Sequence, residues 1–106
     1  MKLKILSAMT LALTIPAAAN AAMIKGHDEN SVVVNTEAFN LSSSTGQEML
    51  YERLKTAARQ VCGSTNLREA GSLERVLDNR TCYQDALAQA VEDVNSRGVS
   101  AIHSDS

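Results

Sequence analysis

The stretch STGQEMLYERLKTAARQVCG, residues 44–63, decides the fold because it contains a helix start, an apolar stripe and a helix end. Ser44 and Thr45 each precede a Gln or Glu by three residues, which is the spacing of a capping box at a helix N-terminus. Gly63 is the residue type that most often closes a helix. The pattern predicts one amphipathic helix that packs through five apolar positions: Leu50, Leu54, Ala57, Ala58 and Val61.

The chain has two cysteines, Cys62 at the end of this helix and Cys82 further along. An even number of cysteines in a short exported chain predicts a disulfide. Closing a loop of about 20 residues contributes roughly 3 kcal/mol in the chain-entropy model. Redox activity is disfavoured because nineteen residues separate the cysteines, whereas thiol oxidoreductases usually place two between them. Metal-ligand and intermolecular roles are the remaining alternatives.

A second helical pattern starts at Ser72 and ends by Gly98. Cys82 points away from its apolar stripe on a continuous helical wheel, which favours a bend or restart near Asp78 to Thr81, a short helix followed by a long one, over a continuous helix across 72–95. A bond between the two cysteines would turn this segment back along the first helix. The predicted fold class is mainly α, a small disulfide-stapled αα-hairpin preceded by one β-strand. The apolar positions are Leu73, Val76, Leu77, Tyr83, Leu87, Ala90, Val91 and Val94.

Residues 1–21 have the three parts of a secretory signal peptide. Lys2 and Lys4 precede an apolar run over 5–15, and Ala19-Asn20-Ala21 provides the small residues of a cleavage site. Cleavage after Ala21 is therefore predicted, with Ala22 as the first residue of the exported chain. An uncleaved anchor is the alternative, but the apolar run of about 11 residues is short against the roughly 20 that a spanning helix needs. The predicted location is periplasmic or secreted, with no membrane span after cleavage.

The exported part divides into three predicted regions: a flexible polar lead over 22–31, a strand-plus-hairpin domain over 32–97 and a flexible tail over 98–106. Val32, Val33 and Val34 are consecutive β-branched residues and predict the strand, which is expected to extend towards Leu41. A lone strand leaves its backbone groups unpaired, so it must pair with a second copy, a partner protein or a second strand within the chain. The residues offer no clear second strand.

The charge balance excludes two classes of partner. Cleavage would remove two of the ten Lys and Arg residues and none of the twelve Asp and Glu residues, so the formal net charge would fall from −2 to −4. An acidic chain with few aromatic residues cannot neutralise phosphates or stack on bases, so nucleic-acid binding is not expected. The same charge disfavours an anionic membrane surface.

No catalytic, cofactor-binding or metal-binding site is predicted. His27 and His103 lie in polar terminal segments and are expected to be solvated. The serines at 42–44 are explained by helix capping, since no nearby histidine could act as a base. One weaker alternative is an acidic row that would collect cations on the second helix. Its members are Glu74, Asp78, Asp85 and Glu92.

The order of residues from the strand onwards resembles the UrcA family, small exported two-cysteine proteins of Gram-negative bacteria. The most specific piece is Ala57-Ala58-Arg59-Gln60-Val61-Cys62-Gly63. The resemblance covers residues 32 to about 94 and implies a periplasmic location and a Cys62–Cys82 disulfide, but no activity. Its other residues are Leu41-Ser42-Ser43, Gly46, Leu50-Tyr51, Arg53-Leu54, Cys82, Ala86 and Ala90-Val91.

We therefore expect a non-enzymatic periplasmic or secreted protein that serves as a binding or structural module of the cell envelope. The expected interaction surface is the strand Val32 to Leu41, which would pair with another protein or with a second copy. The alternative is a cation-binding or stress-buffering protein that uses the acidic helix face.

Overall fold

The computed structural model describes residues 21–106, so the predicted signal peptide, apart from Ala21, lies outside the described residues. A β-hairpin precedes four helices, and a short 3-10 turn follows each strand, at His27–Glu29 and Thr36–Ala38. The elements are β1 (Ala21–Lys25), β2 (Ser31–Asn35), α1 (Ser44–Cys62), α2 (Leu67–Ala70), α3 (Leu73–Val94) and α4 (Arg97–Ser104).

β1 is the second strand that the residue pattern did not reveal. It pairs antiparallel with β2, from Ala21 opposite Asn35 to Lys25 opposite Ser31. Residues 22–31, predicted as a flexible lead, instead contain β1 and the turn into β2. The strand Val32 to Leu41 is shorter than predicted, because β2 ends at Asn35 and a 3-10 turn follows.

The turn between the strands explains why the hairpin was missed. Asp28 and Glu29 both have positive φ, 54° and 66°. The Asn30 N–H donates to the His27 carbonyl at 2.9 Å. Positive φ at both central residues is the backbone of a tight hairpin turn, which sequences usually mark with Asn-Gly or Asp-Gly. Asp-Glu gives no such signal.

α1 confirms the predicted helix almost residue for residue. All five predicted stripe positions are buried, and Gly63, with φ +94°, donates its N–H to the Arg59 carbonyl at 2.9 Å just past the helix end. The N-cap is Ser43 rather than Ser44 or Thr45, because the Ser43 Oγ accepts the Gly46 N–H at 3.0 Å. The start of the helix was therefore placed one or two residues late.

α3 is continuous from Leu73 to Val94, which excludes the bend that the residue pattern favoured near Asp78 to Thr81. The buried face of α3 differs from the predicted stripe: Leu73 and Leu77 are 64% and 50% exposed. Asn79 is 4% exposed, so a polar residue occupies a core position and hides the true period. With Asn79 on the inner face, Cys82 lies on that face as well, three residues further along.

The disulfide between Cys62 and Cys82 joins the end of α1 to α3, with Cα atoms 5.6 Å apart. One residue further along α3, the Tyr83 ring lies 5.7 Å from the Arg59 guanidinium carbon, so α3 runs back along α1. The predicted class, a mainly α fold with a stapled αα-hairpin, is confirmed, with a two-stranded sheet in place of one strand.

α4 occupies most of the segment 98–106 that was predicted as a flexible tail. Asn95, with φ 55°, ends α3, and the Ser96 Oγ then accepts the Val99 N–H at 3.3 Å to start α4. Val99 is fully buried. Gly98 does not end the helical pattern but lies inside α4, where a Cβ would collide with the Gln47 side chain.

The core lies between the inner face of the sheet and the α1–α3 pair, with α4 covering its far end. Alternate residues of the strands, Ala22, Ile24 and Val34, face this core, as expected when one face of a sheet is covered. Among residues 21–106, no helix combines the length and the apolar character that crossing a membrane requires.

Candidate functional site

An open pocket of about 580 Å³ lies beside the disulfide, between the start of the hairpin turn and α3. The hairpin contributes Lys25, Gly26 and His27, because β1 ends there. α3 contributes one face of its middle turns. The α3 lining residues are Asp78, Thr81, Cys82, Asp85, Ala86 and Gln89.

A hydrogen-bond bridge through Asn79 supports this pocket. The Asn79 Nδ2 donates to the Ser64 carbonyl at 2.8 Å, so its Oδ1 is free to accept. The His27 Nε2 lies 3.1 Å from that Oδ1 and must carry the proton. One buried amide thus connects the hairpin turn, α3 and the segment after α1, and His27 is not the solvated side chain that was predicted.

The hairpin turn also approaches α1 directly. A Cβ on Gly26 would collide with the Val61 carbonyl, so only glycine allows this backbone contact. The pocket wall is therefore positioned by backbone contact as well as by hydrogen bonds.

The two cysteines of the disulfide differ in solvent exposure. Cys62 is 2% exposed and belongs to the core, whereas Cys82 is half-buried and lines the pocket. The predicted bonded pair is present in the structure, and the cysteines of the described chain are not free to bind a metal.

The acidic row does not form a compact cluster. Asp78 and Asp85 line the pocket together, but they are seven residues apart on one helix, about 10 Å along its axis. Glu74 and Glu92 do not line it. Among the described residues, no three His, Cys, Asp or Glu side chains come together as a metal site needs.

A second polar cluster lies at the middle of α1. The buried Tyr51 Oη hydrogen bonds with the His103 Nδ1 at 2.9 Å, which attaches α4 to α1. The Lys55 Nζ stands 5.3 Å from the Tyr51 ring centroid and 2.8 Å from a Glu52 carboxylate oxygen. The hydrogen bond to Glu52 raises the pKa of Lys55 above its ordinary value, against a smaller opposing effect of burial. His103, like His27, is therefore bound within the fold.

Met23 and Val33 form a cross-strand pair on the outer face of the sheet, where both are exposed. In the sequence β2 contains three consecutive valines, so the residue types alone do not indicate which side chains face the core. The pairing with β1 settles this point: Val34 faces the core and Val33 faces out.

Comparison with family models, with curated proteins and with solved structures found no match to this chain. Function is therefore inferred from the chain's own geometry.

Proposed function

We propose that the protein is a non-enzymatic binding module of the cell envelope that adds an extended chain to the outer edge of β2. Its predicted signal peptide and its disulfide both support export to an oxidising compartment. The resemblance to the UrcA family supports the same compartment. The observation that carries the proposal is the outer edge of β2, which pairs with no other strand among residues 21–106.

The hydrogen bonds at the turn identify which groups of β2 face outward. The Asn30 carbonyl accepts the Gly26 N–H at 2.8 Å, and the Asn30 N–H donates to the His27 carbonyl at 2.9 Å. Both backbone groups of Asn30 therefore face β1. Successive residues of an antiparallel strand face opposite neighbours, so the amides of residues 32 and 34 face β1, and those of 31, 33 and 35 face away. Outside the β1–β2 ladder, no backbone carbonyl of residues 21–106 accepts a hydrogen bond from these outward amides.

The side chains beside this edge suit an extended partner. Val33 is 58% exposed and stands opposite Met23 on the outer face, so an added strand would gain an apolar contact in addition to its ladder hydrogen bonds. Ser31 and Asn35 flank it with polar groups. Strand addition of this kind obtains affinity from the backbone and specificity from alternate side chains.

Proline at Val33 tests the proposal, because Val33→Pro removes an outward donor and leaves the β1 ladder intact. The matched control Val33→Thr keeps both the donor and the β-branched shape. Sedimentation equilibrium of the mature protein detects pairing of two copies, and capture from envelope extract detects another partner. We expect wild type and Val33→Thr to associate and Val33→Pro to lose at least tenfold in affinity. Equal association of Val33→Pro would contradict the proposal.

A cation-binding role for the acidic helix face is the second candidate, favoured by one observation, the shared pocket of Asp78 and Asp85. Hard cations take six or more oxygen ligands, and two carboxylates about 10 Å apart along α3 cannot bind one ion together. Calorimetric titration with Ca²⁺ tests this second candidate: heat that disappears in Asp78→Asn supports the cation role, and a titration without heat contradicts it.

A further inference from the structure

The two cysteines of the disulfide differ in exposure. Cys62 is 2% exposed within the core, and Cys82 lines the open pocket. Thiol–disulfide exchange begins with attack of a thiolate along the S–S axis on an accessible sulfur. Attack is therefore expected at Cys82, with Cys62 as the leaving group.

The charges that line the pocket at Cys82 are those of two carboxylates and one amine, and the adjoining pocket at Asp78 adds one charge of each sign, Asp28 and Arg75. Asp78 and Asp85 stand four residues before and three residues after Cys82, so both are its neighbours on the surface of α3. Lys25 reaches the same pocket from β1. Neither carboxylate has a cationic partner within 4 Å among the described residues, where the ion pair present is that of Lys55 with Glu52. The pocket carries a local net charge of −1.

We infer that this pocket is a charge-selective thiol-exchange site, which admits cationic thiols to Cys82 and repels anionic ones. In the exchange, a thiolate RS⁻ forms a bond to the Cys82 sulfur while the Cys62–Cys82 bond breaks. Cys62 leaves as a thiolate and takes a proton from water. A second thiolate then attacks the R sulfur and releases Cys82, so the protein gains two thiols and the reagent becomes a disulfide. This inference does not depend on the β2 edge.

Coulomb's law gives the size of the selectivity. One unit charge about 6 Å from another in a water-like dielectric changes a rate about threefold. The attacking thiolate of an aminothiol has a net charge of 0 and that of a sulfonate thiol has −2, so a pocket charge of −1 leaves the first rate nearly unchanged and slows the second about tenfold. The expected ratio of the two rates is about ten in the wild-type protein, and it should approach one in about 1 M salt, where the Debye length is about 3 Å.

The test measures the rate at which 2-aminoethanethiol and 2-mercaptoethanesulfonate each reduce the disulfide of the mature oxidised protein. The rate of each thiol is divided by the rate at which the same thiol reduces an uncharged small disulfide, and the ratio of the two normalised rates is compared between variants. Asp78→Asn/Asp85→Asn makes the pocket net positive and should invert the ratio to about one-tenth. Lys25→Gln should raise it to about one hundred. The control Glu74→Gln/Glu92→Gln removes the same total charge more than a Debye length away and should leave the ratio near ten. Equal ratios in wild type and the Asp78/Asp85 variant would overturn the inference.

The position of attack is tested by trapping the first step. Brief exposure to 2-aminoethanethiol, followed by alkylation and tryptic digestion, places the two cysteines in separate peptides, residues 60–68 and 81–97. We expect the thiol adduct on the peptide with Cys82 and the alkyl group on the peptide with Cys62. The reverse labelling would overturn the inference even if the variants showed charge selectivity. Circular dichroism of each variant confirms that the rates refer to folded protein.

Discussion

The Asn79 bridge offers the most direct test of how the disulfide end is held together. Asn79→Ala removes two hydrogen bonds, one from the His27 ring and one to the Ser64 carbonyl, from a side chain that is 4% exposed. Each hydrogen bond contributes about 1 kcal/mol net, so the free energy of unfolding should fall by about 2 kcal/mol. In a domain of this size that lowers Tm by about 8–16 °C.

Urea denaturation of the oxidised protein, followed by circular dichroism at 222 nm, measures the loss. Gln89→Ala is the matched control, because it truncates an exposed amide on the same helix and should cost less than about 0.5 kcal/mol. His27→Ala should cost about 1 kcal/mol, and combining it with Asn79→Ala should add nothing further, since the shared bond is already lost. A cost below 0.5 kcal/mol for Asn79→Ala, or full additivity with His27→Ala, would refute the bridge.

Three further predictions concern other parts of the chain. Mass spectrometry of the protein from its native compartment should find Cys62 and Cys82 bonded, and Cys62→Ser should lower the free energy of unfolding by about 2–4 kcal/mol; two free thiols would contradict this. N-terminal sequencing should find Ala22 first, and an intact Met1 would contradict cleavage there. Tyr51→Phe should cost about 1 kcal/mol and speed amide hydrogen exchange in α4, because the bond to the His103 ring is lost; unchanged exchange over 97–104 would contradict this.

The parts of the fold that could be predicted are those in which one periodic pattern decides one element. α1 is predicted by its stripe and by Gly63, and all of its core positions are buried as expected. The disulfide could be predicted because the prediction needs only an even cysteine count and the signal-peptide pattern at the start of the sequence. β1 and α4 could not be predicted, because each depends on a distant partner. β1 is held by pairing with β2, and α4 is held by contacts with α1 that include Tyr51 and His103.

The candidate site was hidden for a related reason. A polar residue in a helix is usually solvent-exposed, so the sequence pattern does not assign Asn79 to the buried face. Its burial becomes understandable only when His27 and the Ser64 carbonyl, 52 and 15 residues away in the chain, satisfy its amide. His27 alone could have raised the question, because a histidine just after an apolar run can return to the fold; the residue pattern gave no indication of its partner.

The two ends of the α1–α3 pair are built differently, and this difference places the pocket. At one end the Cys62–Cys82 bond joins α1 to α3, the Gly26 contact with Val61 joins the hairpin turn to α1, and the Asn79 amide connects the turn, α3 and the segment after α1. Towards the other end α4 is attached to α1 by packing and by the Tyr51–His103 hydrogen bond, without a covalent link in the described chain. The pocket lies at the end that is joined by the disulfide, by the Asn79 hydrogen bonds and by the Gly26 contact. Asp78 and Asp85 lie on the same helix as Cys82, so α3 itself sets the positions of the two carboxylates relative to Cys82.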